Sequence, residues 1–282
     1  NMTTHNLLIE LFVEELPPKA LQKLGDAFSG VLFEQLKAQG LTAANSAVTA
    51  YASPRRLAAH ITAVSALAAD KAVQQKLMPV TVGLDASGNA TPALLKKLQA
   101  LGAGPEAVAL LKRAPDGKAD ALFYDSIVKG ARLADGLQKA LNEAIAKLPI
   151  PKVMSYQLET DCELPGWSSV NFVRPAHSLV ALHGSTVVPV KALGLSAGNR
   201  TQGHRFEAKV DPVVVPHADQ YAQVLRSDGA VIASFAERRA EIVRQLAAAA
   251  AKVGGGCKPI DDDARSQRIV DVSDPFREPA AA

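Results

Sequence analysis

Arg55 and Arg56 follow Ser53-Pro54, Arg174 and His177 flank Pro175, and His204 and Arg205 lie between Gly203 and Phe206. Proline fixes the backbone and glycine permits tight turns, so each of these charged side chains is held at a defined place. Guanidinium forks meet phosphate or carboxylate oxygens two at a time, and a histidine beside an arginine binds the same anions or moves protons near neutral pH. The six residues are therefore candidate anion contacts. Pairing inside the fold, for example with Glu14 or Glu15, is an equally open use for Arg55 and Arg56. Those two carboxylates are adjacent, so in extended chain they diverge to opposite faces and are poorly placed to work together as acid and base on one bond. One of them is expected to anchor an arginine or to favour the start of a helix after Pro18.

Other chemistries find little support. Nucleophilic catalysis needs a serine or cysteine with a base and an orienting acid, and Ser178 cannot present that geometry to His177 by adjacency alone. His177, His183, His204 and His217 lack the spacing that puts two ligands on one helix face, and three consecutive aspartates, Asp261 to Asp263, cannot all point inward. The triplet reads as a solvated acidic turn, and no metal site is expected. Neither a GxxxxGK[ST] loop nor a GxGxxG turn after a strand occurs, so neither common nucleotide site can be placed.

These motifs need elements to hold them. Leu7 to Val13 (LLIELFV) reads as a buried strand closed by the acidic pair and two prolines. Leu21, Leu24, Phe28, Leu32 and Leu36 then recur with helical spacing between Pro18 and Gly40, which predicts a helix over about 18–39. Strands at Val48 to Tyr51 and Leu57 to Val64 around a basic turn complete a β-α-β-β opening. Between Val73 and Lys129 glycines punctuate short segments, with helices starting at Thr91-Pro92 and Pro105 and a strand at Ala121 to Val128. A helix from Leu133 to Lys147 must stop before Pro149. A loop-like stretch from Tyr156 to Trp167 precedes strands at Ser169 to Val173, Leu179 to Leu182, Thr186 to Leu193 and Lys209 to Val215, and helices follow at Ala218 to Arg226 and Val231 to Val253. The expected fold class is α+β, mixed α/β layers with an inserted small helical region and a long C-terminal helix. The parts are 1–72 and 130–216 as the two halves of the body, 73–129 as the insertion, 217–256 as C-terminal helices and 257–282 as a tail.

The chain has 282 residues, 48% of them apolar, enough for a sizeable core. Its formal charge of +3 permits a polyanionic partner without demanding one. Cys162 and Cys257 are far apart with no ligand spacing beside them, which fits a reducing cytoplasm. No stretch reaches the ~20 uncharged apolar residues of a membrane span.

Five motifs in order, Glu14 to Lys19 (EELPPK), Ser53 to Leu57 (SPRRL), Leu148 to Lys152 (LPIPK), Phe172 to His177 (FVRPAH) and Gly203 to Phe206 (GHRF), resemble the amino-terminal part of the β subunit of bacterial heterotetrameric glycyl-tRNA synthetase. The likeness runs from about Leu7 to about Asp263. It implies that glycine and ATP, with magnesium, are activated on a separate α subunit, while the β subunit recruits glycine tRNA and supports the assembled enzyme; no cofactor is implied for this chain. On that reading Arg55, Arg56, Arg174, His177, His204 and Arg205 are the RNA-binding candidates, with no catalytic residue, and the chain alone is inactive. Two alternatives remain: an editing-type or other hydrolase with a pocket lined by Arg174, His177, His204 and Arg205, or a structural fragment that binds a partner. Beyond Asp263 the pattern ends, and residues from Ala264 are expected to be a disordered tail outside the family.

Overall fold

The computed structural model describes residues 3–149 and 176–252. The strand expected at Ser169 to Val173, the loop-like stretch before it, Arg174, both cysteines, the acidic triplet and the expected tail lie outside the described residues. The chain divides into two compact units, 69–130 being one and the residues on either side of it forming the other.

The larger unit opens with β1 (Thr4–Val13), a 3-10 turn at Pro18–Ala20, α1 (Leu21–Ala38), β2 (Val48–Ser53) and β3 (Arg56–Ser65). The smaller unit holds β4 (Lys71–Pro79), a single helical turn α2 (Val80–Gly83), α3 (Pro92–Ala100), a 3-10 segment Pro105–Leu110, β5 (Lys112–Asp116) and β6 (Ala119–Val128). The larger unit then resumes with α4 (Leu133–Ala146), β7 (Ala176–His183), the two-residue strands β8 (Thr186–Val187), β9 (Lys191–Ala192), β10 (Leu195–Ser196), β11 (Arg200–Thr201) and β12 (Val213–Val214), a 3-10 turn Ala218–Gln220, α5 (Tyr221–Ser227) and α6 (Phe235–Lys252). Mixed α+β is the fold class expected from the sequence.

The main sheet runs β2-β3-β1-β7-β8, antiparallel throughout. Its central strand β1 is buried on both faces, which is why its sequence is a nearly continuous apolar run and not an alternating one. Leu7, Ile9, Leu11 and Val13 face one way and pack with Leu24, Phe28, Leu32 and Leu36 of α1 and Leu137, Leu141 and Ile145 of α4. Leu8 faces the other way, with Ala58, Val180 and Leu182, and is covered by Val215, Ala218, Tyr221, Leu225 and Ala233. Helices thus cover one face of the sheet, and the returning C-terminal chain covers the other.

Several expectations need correction. The strand expected at Thr186 to Leu193 is broken into β8 and β9, since Pro189 has no N–H to continue a ladder. Pro212 likewise leaves only Val213–Val214 of the strand expected from Lys209. The last helix begins at Phe235 rather than Val231, because the Ser234 hydroxyl accepts from the Glu237 N–H at 3.3 Å and caps it there. In the smaller unit α3 and β6 stand near where the pattern puts them, but β4 and β5 flank β6 as two further antiparallel strands. Leu94 and Leu98 of α3 pack with Ala107 and Leu122 as this unit's own core.

Candidate functional site

Register on β1 and β3 places the first group of charges. Phe12 lies opposite Arg56 and Glu10 opposite Ala58, so Arg56 and Glu10 are diagonal neighbours on the face turned toward the C-terminal chain. The turn before Arg56 is fastened to the end of β1: Val13 N–H donates to the Arg55 carbonyl at 2.7 Å and Leu16 N–H to the Pro54 carbonyl at 2.5 Å. Glu14 sits between those two bonds, and its carboxylate meets Arg55 Nη2 at 3.8 Å and His177 Nε2 at 2.5 Å. Phe12 lies below, with both guanidinium groups near its ring, Arg55 at 4.9 Å and Arg56 at 5.0 Å, and the His177 ring at 6.0 Å.

Arg55 and Arg56 are neighbours with opposite fates. Arg55 is partly open to solvent. Arg56 is only 3% exposed, lies 3.5 Å from the carboxylate of Glu10, and donates from Nη2 to the Gln202 carbonyl at 2.6 Å. Its guanidinium is therefore committed to the protein interior, the pairing use that its sequence position had left open, but the partner is Glu10 rather than Glu14 or Glu15. Glu10 is fully buried and also accepts from the hydroxyls of Thr201 and Tyr221. Burial and the Glu10 charge hold the Tyr221 hydroxyl well above its ordinary pKa, so it stays a donor. Tyr51 packs edge-on against Tyr221 with ring centroids 5.2 Å apart.

Sequence reading missed Glu10, Thr201 and Tyr221. The available signal was a lone carboxylate inside the apolar run Leu7 to Val13, since a charge in a strand buried on both faces needs an internal partner.

The second group is the loop Gln202 to Asp211. Its Gly203 lies so close to Gly229 that a Cβ there would collide with backbone, while the His204 N–H donates to the Gly229 carbonyl at 2.6 Å and the Lys209 N–H to the Asp228 carbonyl at 2.8 Å. His204 Nδ1 accepts from the backbone N–H groups of Phe206 at 3.2 Å and Glu207 at 3.0 Å, which leaves Nε2 to carry the proton in the neutral ring. Arg205 is exposed and lies 5.5 Å from the centroid of Phe206, a ring 80% exposed. Arg55, Gln202 to Arg205, Ala208 and Asp211 line an open cleft of about 290 Å³.

Of the six sequence candidates, the structure gathers Arg55, His204 and Arg205 around this cleft. Arg56 stands behind its loop, bonded to the Gln202 carbonyl, and His177 is linked to Arg55 through Glu14. Arg174 lies outside the described residues. Among the described residues no cluster of His, Cys, Asp or Glu could hold a metal ion, and no helix is long and apolar enough to cross a membrane.

An α+β body that presents arginine and histidine around an open polar cleft, with the exposed ring of Phe206 beside Arg205, is suited to recognising an anion beside a planar group. Residues 7–270 match the family described as glycyl-tRNA synthetase beta subunit, and the chain belongs to that family. The match passes Asp263, where the sequence likeness was expected to end. The chain is 77% identical over 267 residues to the glycine-tRNA ligase beta subunit of Polaromonas naphthalenivorans (strain CJ2), an alignment covering 93% of this chain and 38% of that protein. It is 74% identical over 264 residues to the protein of the same name in Paracidovorax citrulli (strain AAC00-1), covering 93% and 37%. With the corresponding protein of Dechloromonas aromatica (strain RCB) it shares 66% identity over 271 residues, again 93% and 37%. The chain thus spans less than two fifths of the length of these relatives.

Proposed function

We propose that this part of a glycyl-tRNA synthetase β subunit recruits glycine tRNA and supports assembly with the α subunit in the cytoplasm. In this reading glycine, ATP and magnesium are handled by the separate α subunit. The observation that carries the RNA reading is the Gln202 to Asp211 loop, where Arg205 lies against the exposed ring of Phe206 beside the cleft shared with Arg55 and His204. A guanidinium supplies charge for a phosphate and an exposed ring supplies a stacking surface for an unpaired base.

Binding of glycine tRNA by the chain over a range of salt concentrations tests this. Arg205→Ala is expected to weaken binding and lower the salt slope by about one phosphate contact. Phe206→Ala is expected to cost about 1–3 kcal/mol of binding with the salt slope unchanged. Affinity equal to the unaltered chain in both variants would refute the RNA reading of this loop.

A further inference from the structure

The charge buried at the centre of β1 has no part in the contacts just described, and its partners point to a use. Glu10 accepts from Thr201, the residue immediately before Gln202, and from Tyr221, the first residue of α5. Arg56, held against the same carboxylate, donates to the Gln202 carbonyl itself. The loop is also fixed to the other end of α5, near its start by the His204 N–H to Gly229 carbonyl bond and the Gly203 to Gly229 contact, and further along by the Lys209 N–H to Asp228 carbonyl bond. One buried carboxylate therefore ties down both the entry to the loop and the helix against which the loop rests.

Stability alone does not account for such an arrangement. A buried ion pair replaced by apolar side chains of similar volume often leaves a protein equally or more stable. Apolar packing cannot, however, direct a donor at one backbone carbonyl or fix two hydroxyls in register, which hydrogen bonds do within narrow limits of distance and angle. Loops exposed to solvent otherwise sample many conformations, and a recognition loop that must be ordered on binding loses affinity for it.

We propose that Glu10, Arg56, Thr201 and Tyr221 form a positioning network that preorganises the Gln202 to Asp211 loop, so that Arg205 and Phe206 are presented together to RNA. This rests on the RNA reading above for its ligand, but the positioning can be tested without it. Glu10→Gln keeps the shape and replaces one accepting oxygen by a donor, so one of the two hydroxyls loses its acceptor and Arg56 loses its countercharge. Tyr221→Phe removes a single hydroxyl and serves as the milder variant if Glu10→Gln does not fold.

Hydrogen exchange read by mass spectrometry on the 282-residue chain supplies the first arm. In each folded variant, the His204, Ala208 and Lys209 amides are expected to exchange at least tenfold faster relative to amides of α1. The second arm is affinity for glycine tRNA: Glu10→Gln should weaken it roughly three- to tenfold, and should add nothing when placed on Arg205→Ala together with Phe206→Ala. Unchanged relative exchange in the loop would overturn the proposal, as would losses that multiply in the combined variant. If the Arg205 and Phe206 variants bind tRNA like the unaltered chain, the RNA reading falls, and the exchange arm alone decides whether the network positions the loop.

Discussion

At the scale of single residues, burial decides what each charged side chain of this chain is for. Arg55 and Arg56 are sequence neighbours whose guanidinium groups both lie over Phe12, yet Arg55, in the turn, borders the cleft, while Arg56, the first residue of β3, is sealed against Glu10. Taking either partner of the Glu10 and Arg56 pair away alone would strand a buried charge at a cost of about 3–5 kcal/mol. His183 shows the same logic in a titrating group. It is 9% exposed, its ring meets His5 edge-on at 5.2 Å, and its Nε2 lies 2.6 Å from the Val64 carbonyl. Burial lowers its pKa below the ordinary histidine value and the His5 ring adds to this, while the bond to Val64 opposes it. The folded state therefore takes up its proton at lower pH than the unfolded chain. Stability from this group is complete above about pH 6.5 and is lost as pH falls through that value toward the folded pKa. His183→Gln keeps a donor for Val64 without the titration. Urea unfolding at pH 7.5 and pH 5 should show a smaller acid loss in the variant than in the unaltered chain; equal losses would mean that His183 does not titrate in this way. Sequence alone could name the six Arg and His candidates, since proline and glycine mark them. It could not sort them into lining and support, because that depends on the β1 to β3 register and on Thr201 and Tyr221, which lie about two hundred residues along the chain from Glu10.

At the scale of elements, α1 carries two glycines in different surroundings. A Cβ on Gly25 would sit 2.8 Å from the Cβ of Ala52 on β2, an atom fixed to a strand that cannot swing aside. A Cβ on Gly30 would meet nothing within 4 Å. Alanine gains about 1 kcal/mol over glycine in a helix interior, chiefly by restricting the unfolded chain. Gly30→Ala should therefore stabilise the protein by roughly 0.5–1 kcal/mol. Gly25→Ala should destabilise it on balance, the overpacking of about 1–3 kcal/mol exceeding that gain. Thermal or urea denaturation of the two variants checks the opposite signs, and a stabilised Gly25→Ala would show that α1 can lift from β2 at little cost. The same helix shows what was readable in advance. Its four-residue leucine spacing, the Pro18 start and the Gly40 stop are local signals, as are those of β1, β3 and α4, and these elements stand close to where the pattern puts them. Lys71–Pro79 (KAVQQKLMP) and Lys112–Asp116 (KRAPD) carry no alternation and are mostly exposed, so only pairing with β6 makes strands of them. Ser234 and Glu237 form a legible capping pattern, and the true start of α6 was present in the sequence for a reader who gave the cap precedence over the apolar spacing.

At the scale of the whole molecule, the unit 69–130 interrupts a body that is otherwise complete around one sheet. The two ends of that body at the interruption are already joined: the Ala68 N–H donates to the Ala131 carbonyl at 2.9 Å, the Leu133 N–H to the Ala66 carbonyl at 2.9 Å, and Leu67 bridges to Arg132. The core between the sheet and its helices draws on β1, α1, β3, α4 and β7, and its buried members all come from outside the inserted unit. Chain ends that lie side by side on a self-sufficient core need no more than a short connection, and the entropy of closing such a loop changes only slowly with its length. Replacing residues 69–130 by a linker of about four Gly and Ser residues, a length typical of compact connections, should therefore leave a cooperatively folding protein. Its melting temperature is expected within about 2–4 °C of the unaltered chain, the shift that about 1 kcal/mol produces in a domain of this size. Affinity for glycine tRNA should be kept if the Gln202 to Asp211 loop carries it, because that loop, its anchor on α5 and the Glu10 network all belong to the remaining body. Circular dichroism melts together with the salt-dependent binding assay measure both quantities. A body that no longer melts cooperatively would show that the inserted unit is part of its folding. A body that folds but loses tRNA would move recognition to residues 69–130 and away from the loop.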